Sequence, residues 1–439
     1  MRKALILLTF AGLVARLLFL ALEPATTPVA DETMWTTWGA EVLPSPDVRF
    51  SPLAFRLIFH PPLYPYFIGS LFALFGSLAA VKVAQALVSS LLVPALGRIG
   101  EALFGERAGL AAAAMAAFYP ELVWFSAHFW VETVFTVLLW WGFERLLAAD
   151  RQEAMAPAAA AGLLLGLAIL ARETVLYFLP LAGLWLAWRR PKGLARAAVF
   201  LALAICVVAP WTYRNFQVYG AFVPVSTAGA LNLWQGNATI SREEVYEQYG
   251  AVRGRIEKYR FARQKGLEAI VARQPAWFFE KLRQEMPNFW EADSQALVHI
   301  VRGAYGPYHK VTAAAAALVM LLPFAAVLVL FVMGMAALPR ERGPLLLAAF
   351  LAYYVLLHVA THGYARYRLP AMPVLFLIGG FAWSSWRAHA YPPLTRARRA
   401  VAAALALTLA LSVAPTLVSW FTEPWEKPVE SGEAREDAP

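Results

Sequence analysis

The chain opens MRKALILLTFAGLVARLLFLALEPATTPVADETMW (residues 1–35), and this stretch decides how the rest is read. Two cations, Arg2 and Lys3, precede an apolar run from Ala4 to Leu22. That run is about as long as the roughly 20 residues a helix needs to cross a bilayer. No small-x-small cleavage site closes it, so we read a retained transmembrane helix and not a signal peptide. The positive-inside rule puts Arg2 and Lys3 in the cytoplasm and delivers the adjacent carboxylates Asp31 and Glu32 to the outer face. His60-Pro61-Pro62-Leu63-Tyr64-Pro65 then re-enters apolar sequence, so the acidic pair opens a loop, residues 23–60, pinned to the bilayer at both ends.

Composition agrees. Of 439 residues 60% are hydrophobic and only 15% charged, and the mean hydropathy is +0.54. The chain is too apolar for a soluble globular protein and reads as an all-α polytopic membrane protein. Its net charge of +9 comes mostly from short clusters between apolar runs, with no basic stripe carrying interleaved aromatics, so nucleic acid is not an expected partner. The lone Cys206 precludes an internal disulfide framework.

Three basic clusters orient the later spans. They are Arg189, Arg190, Lys192 and Arg196; Arg340 and Arg342; and Arg387, Arg396, Arg398 and Arg399. All three are expected in the cytoplasm. Counting back from the first puts Glu132 at the outer start of its helix, on the same side as Asp31. Between them lie three apolar stretches, 62–76, 81–100 and 108–126, where an outside-to-outside path needs an even number of crossings. The first is the shortest and opens with prolines, so it is the one expected not to span. The expected total is about 11 spans (11–13), N-terminus inside.

The divisions expected are a catalytic transmembrane module over 1–213, an external region over 214–310, further transmembrane helices over 311–422 and a disordered tail over 423–439. The external region carries a charged stretch from Ser241 to Arg283, with surface helices expected near 242–270 and 275–290.

Several residues stand out chemically. Asp31 and Glu32 read as a solvated helix cap or, in a partly dry vestibule, as a general base and its helper. Glu132 reads as an interfacial anchor or as a second carboxylate of that vestibule. Arg214, in Pro210-Trp211-Thr212-Tyr213-Arg214-Asn215, and Arg366 and Arg368, in His362 to Pro370, lie on the outer side against the positive-inside bias. They suit either a phosphate or anionic lipid headgroups, with Tyr364 adding a hydroxyl. Arg172 and Glu173 read as a local ion pair, with Arg172 also a candidate substrate-binding residue. Asp31, Glu32, Glu132, His60 and His128 share the outer side and allow a divalent metal, though no spacing is diagnostic.

Taken in order, these residues resemble the GT-C membrane glycosyltransferases, in the branch similar to protein O-mannosyltransferases and lipid A aminoarabinose transferases. Asp31-Glu32, His60 to Pro65, Tyr119-Pro120, Glu132, Leu170-Ala171-Arg172, Pro210 to Asn215, Asn232 to Asn237 and Tyr364 to Pro370 carry the resemblance. It implies a polyprenyl-phosphate-linked sugar donor, used at the outer face of the plasma membrane with inversion, and a lipid, glycan or protein acceptor. It makes Asp31 the general base, gives Glu32 and Glu132 positioning roles, has His60 shape the site, and lets Arg214, Arg366 and Arg368 hold the leaving phosphate. Two features depart from the pattern. Trp35 stands where tyrosine is common, and no large carbohydrate-binding external domain follows, which argues against a protein acceptor read by such a domain. The competing class is a flippase or transporter of lipid-linked sugars, which needs polar residues along a path across the bilayer.

Overall fold

The computed structural model describes residues 1–23, 28–29, 31–42, 58–188, 191–292, 294–301, 303–304 and 309–422, and every regular element among them is helical. Seven helices are long and apolar enough to cross a membrane: Arg2–Leu22, Leu78–Phe104, Gly193–Tyr219, Val311–Ala337, Arg342–Ala360, Ala365–Arg387 and Arg396–Pro415. The pair Glu106–Phe118 and Pro120–Ala127, bent by 46°, makes an eighth if the two count as one span. Shorter apolar helices cover Leu63–Phe75, Met155–Ala171 and Glu173–Ala187. The expected count of 11 is therefore not established by helix length. The expected tail 423–439 and the cations Arg189 and Arg190 lie outside the described residues.

We number the helices that matter here in chain order: α1 (Arg2–Leu22), α2 (Asp31–Val42), α3 (Leu63–Phe75), α4 (Leu78–Ser90), α5 (Leu92–Phe104), α6 (Glu106–Phe118), α7 (Pro120–Ala127), α8 (Val131–Gln152), α9 (Met155–Ala171), α10 (Leu179–Ala187), α11 (Gly193–Tyr219), α12 (Ala228–Gln235), α13 (Arg242–Ala251), α14 (Arg255–Ala272), α15 (Ala276–Trp290), α16 (Gln295–Val301), α17 (Lys310–Ala337), α18 (Arg342–Ala360), α19 (Met372–Arg387) and α20 (Arg396–Thr422).

Polar contacts sort the chain to two ends of the bundle. At one end the N-terminal amine of Met1 meets Glu106 and Arg98 meets Glu144 at 2.9 Å. Arg342 joins them, 3.1 Å from Asp150 and donating to the Trp188 carbonyl, while Arg398 donates to the Leu338 carbonyl. Described members of the later basic clusters thus gather where α1 begins. Asp31, His60, Glu132, Arg172 and Arg366 lie at the opposite end. Among the described residues between Asp31 and Glu132, two stretches are long and apolar enough to cross a membrane if the bent pair counts as one: Leu78–Phe104 and Glu106–Phe118 with Pro120–Ala127. Helix α3, at 13 residues, is about 20 Å long at 1.5 Å per residue, well short of the roughly 30 Å hydrocarbon core.

Helix α3 instead runs beside α2. Trp35 packs on Tyr64 with ring centroids 5.4 Å apart, and one turn further along Gly39 meets Gly69. A Cβ on Gly69 would stand 2.3 Å from the Gly39 carbonyl oxygen, so only small residues let the two backbones approach. The Tyr64 hydroxyl donates to Gln85 at 2.7 Å, and the Gln85 amide in turn donates to the carbonyls of Phe125 and Ser126. These bonds satisfy backbone groups freed where the chain breaks between α7 and α8. The external region holds α12 to α15, with the stretch expected as one helix near 242–270 broken at residues 252–254. Ser241 opens α13 with a capping box to Glu244.

Candidate active site

Asp31 and Glu32 are the first two residues of α2, not loop residues. Carboxylates are favoured at a helix N-terminus, but successive helical residues point about 100° apart, so the pair diverges. Glu32 is buried, and its Oε1 accepts from the Phe129 N–H at 2.8 Å. It bolts α2 to the α7–α8 junction and does not line the cavity. Asp31 lines it, with Oδ2 accepting from Arg366 Nη1 at 2.8 Å.

That cavity has a volume of about 350 Å³ and draws on five parts of the chain. Asp31, Trp35 and His60 come from α2 and the turn before α3; Val131 and Glu132 from the start of α8; Arg172, Glu173 and Tyr177 from the turn after α9; Ser226, Gly229 and Asn232 from the start of α12; and His358, Thr361, His362, Arg366 and Tyr367 from the end of α18 onward. Arg172 Nη1 donates to Glu132, so the expected Arg172–Glu173 ion pair does not form. Tyr367 stands between the two guanidiniums: Arg172 lies 4.8 Å from its ring centroid, Arg366 lies 5.1 Å away, and Arg366 also donates to its hydroxyl. Two acid–arginine pairs thus face one space across a tyrosine.

His60 packs against Trp35 and Trp38 at 5.2 and 5.4 Å, and its Nε2 is buried with no hydrogen-bond partner among the described residues. Burial pushes its imidazole down from 6.5 to about 4; Asp31 opposes the shift, while Arg366 and Arg172 reinforce it. A histidine held neutral stabilises the fold above its unfolded value and loses that contribution as pH falls toward the folded one. Acidification from 6.5 to 4 should therefore lower the thermal midpoint in detergent, by up to about 1.4 kcal/mol of stability per pH unit. His60→Asn should flatten that slope, and an unchanged slope would assign the acid sensitivity elsewhere.

The remaining candidates fall outside the cavity. Arg214 stacks on Trp211 at 4.8 Å and donates to Asn215. Its motif works on the backbone instead: Trp211 Nε1 donates to the Val225 carbonyl, Thr212 to that of Pro224, and Asn215 to that of Val223, which fixes the segment leading to Ser226. Arg368 is buried under α15, donating to the carbonyls of Phe289 and Glu291. Tyr364 accepts from Arg242 at 3.3 Å.

Glu173, Asn232, His358 and Tyr367 also line the cavity, although the sequence assigns none of them a catalytic or binding role. The i, i+4 spacing of His358 and His362 at the end of an apolar helix was the one available signal. The loop after α18 is clamped from α15: Glu285 accepts from the Gly363 N–H at 2.8 Å and from Lys281 at 2.8 Å, with His362 at 3.6 Å. Burial pushes the Glu285 carboxyl up, but the bonds from His362, Lys281 and Gly363 outweigh it and hold it at about 2.

Among the described residues no three His, Cys, Asp or Glu side chains converge. Asp31 and Glu132 are each engaged by a guanidinium. As placed, the described carboxylates pair with arginines and do not assemble a metal site.

Residues 59–213 match the family model described as dolichyl-phosphate-mannose-protein mannosyltransferase. No curated protein matches the chain by sequence. Among solved structures, the Archaeoglobus fulgidus oligosaccharyltransferase superposes with a TM-score of 0.55 at 16% identity, over 100% of this chain and 58% of that one. ArnT from Cupriavidus metallidurans, solved bound to undecaprenyl phosphate, gives 0.54 at 16% identity, over 94% of this chain and 64% of that one. The chain has the GT-C fold. This GT-C chain is a multi-pass membrane protein, and it spans roughly 60% of the length of those two structures.

The divergence of the acidic pair is itself testable in this GT-C fold. Glu32→Gln, which keeps an acceptor for the Phe129 N–H, should leave turnover within about tenfold of wild type. Glu32→Ala strands a buried donor, at a cost of about 1–3 kcal/mol, and should lower the thermal midpoint. Loss of all turnover in a stable Glu32→Gln protein would make Glu32 a catalytic residue.

Proposed function

We propose that this protein is a membrane glycosyltransferase that moves a sugar from a polyprenyl-phosphate-linked donor to a lipid, glycan or protein acceptor at the outer face of the plasma membrane. The observation that carries this reading is the Asp31–Arg366 pair on the cavity: a base and a phosphate-binding cation 2.8 Å apart, with a second guanidinium, Arg172, beside them.

The chemistry follows from those groups. An acceptor hydroxyl or amine attacks the anomeric carbon on the face away from the phosphate and the bond to phosphate oxygen breaks, so the configuration inverts. Asp31 takes the acceptor's proton. Negative charge develops on the leaving phosphate, where Arg366 and Arg172 supply planar forks of donors. Of the arginines expected to bind substrate, Arg366 and Arg172 line the cavity and take the phosphate grip, while Arg214 and Arg368 lie outside it. Before donor arrives Arg366 occupies Asp31; the incoming phosphate competes for the guanidinium and frees the base.

A lipid-linked donor also needs a place for its chain. An apolar groove of about 630 Å³ lies between α3, α4, α8 and α9, lined by Leu63, Phe67, Val88, Val134, Leu138 and Leu167 among others. Val134 is one helical turn from Val131 of the cavity, so headgroup and tail sites adjoin. The ArnT structure bound to undecaprenyl phosphate and the archaeal oligosaccharyltransferase AglB in complex with dolichol-phosphate support this donor class. The end bearing α1's Arg2 and Lys3 is assigned to the cytoplasm, and the cavity end to the outside.

The test is transfer itself. Protein in nanodiscs, given decaprenyl-phosphate sugars of several kinds and a membrane-lipid extract as acceptor, should release decaprenyl phosphate and form a new glycosidic bond. Movement of labelled donor across a liposome bilayer with no new bond would favour a flippase.

A further inference from the structure

One wall of the cavity takes no part in the transfer chemistry above. Glu173 follows Arg172 in the turn after α9, and with Arg172 turned to Glu132 it makes no ion pair among the described residues. Its carboxylate is held instead by the backbone N–H groups of Ser226 and Gly229 at the start of α12. The approach is close: a Cβ on Gly229 would stand 2.6 Å from Glu173 Oε1, so a side chain there would displace the carboxylate. Three residues further along α12, on the same face, Asn232 lines the same cavity, and its exposed side-chain amide makes no hydrogen bond among the described residues.

A carboxylate offers about four lone-pair sites, and an amide adds two donors and an acceptor. Bonds to backbone N–H groups leave Glu173 with acceptor capacity toward the cavity, beside the unpaired amide of Asn232. Adjacent hydroxyls on a sugar ring match that set, each donating to the carboxylate or exchanging bonds with the amide. A group whose only task was to cap α12 would need neither the opening to the cavity nor Asn232 alongside it. The cation that acts on Glu173 is Arg172, which already holds Glu132, so a negatively charged ring substituent would bring a further acidic group to a guanidinium that is already shared.

We infer that Glu173 and Asn232 form the subsite that reads the donor's sugar, taking a neutral glycosyl group by its ring hydroxyls and rejecting an acidic, uronosyl one. This rests on the transfer reading above. Gly229 lets the carboxylate sit against the start of α12.

Binding measurements on full-length protein in nanodiscs test it, with three probes: decaprenyl phosphate, decaprenyl-phosphoglucose and decaprenyl-phosphoglucuronate. Wild type should prefer the glucose lipid over the glucuronate lipid by about tenfold or more. Glu173→Gln should shrink that ratio to within about threefold while the affinity for decaprenyl phosphate stays within about twofold. Asn232→Ala, at an exposed position, should weaken only the two glycosylated probes, and it carries the test if Glu173→Gln does not fold. An unchanged ratio in both variants overturns the subsite. So does equal weakening of all three probes in Glu173→Gln with a lowered thermal midpoint, which would make the carboxylate a helix cap alone. Failure of wild type to bind decaprenyl phosphate at all overturns the transfer reading, and the subsite with it.

Discussion

Asp31→Asn should lower the rate of sugar transfer by about 10²–10⁴-fold, the range a positioned general base contributes, equivalent to roughly 3–5 kcal/mol in the barrier. The side chain keeps its size and an oxygen that can accept from Arg366, so the fold should be retained and the thermal midpoint should move little. The loss arises because the amide cannot take the acceptor's proton. The defect should lie in kcat, with donor KM unchanged or lower. Full activity in a folded Asp31→Asn protein would remove the base assignment.

Arg366→Ala should be the second most damaging change. Its guanidinium touches Asp31, Tyr367 and the Trp130 ring, at 5.3 Å for the last, and among the described residues it is one of two arginines lining the cavity. Removing it takes away stabilisation of charge that develops as the phosphate leaves, an effect of about 10²–10³-fold in kcat where comparable donors have been removed. It also takes away ground-state attraction for the phosphate, so donor KM should rise. Arg366→Lys keeps the charge but loses the planar fork, and should recover binding better than turnover. Arg368→Ala separates the site from its support: Arg368 holds the carbonyls of Phe289 and Glu291, so that variant should lose stability first. If Arg368→Ala in a stable protein raised donor KM more than Arg366→Ala, the phosphate grip would have to be reassigned.

The membrane class, the helical fold and the sorting of charges to two ends were legible in the sequence because bilayer thickness and the positive-inside bias act on local composition. The meeting of Asp31, His60, Glu132, Arg172 and Arg366 in one cavity followed in part from the same count. Which side chains face it did not. Reading the acidic pair as a loop hid the helical rotation that sends Glu32 to Phe129 and Asp31 to Arg366. Arg366 and Arg368 stand two apart in a tight turn of about three residues, which points them some 240° apart, and nothing local says which one turns inward. Arg214 looked like a phosphate ligand because it sits against the charge bias, yet its neighbours' bonds to Val223, Pro224 and Val225 show a motif that shapes the wall behind the site. Glu173 reads as the partner of its neighbour Arg172, whereas Glu132, 40 positions before Arg172, holds that guanidinium.

The most direct test of the central claim joins binding and turnover in one variant. Asp31 competes with the donor phosphate for Arg366, so Asp31→Asn should bind decaprenyl phosphate as tightly as wild type or more tightly, while transferring no sugar above the level left by losing the base. Weaker binding with turnover reduced only in proportion would contradict the account, because Asp31 would then hold the donor and another group would take the proton.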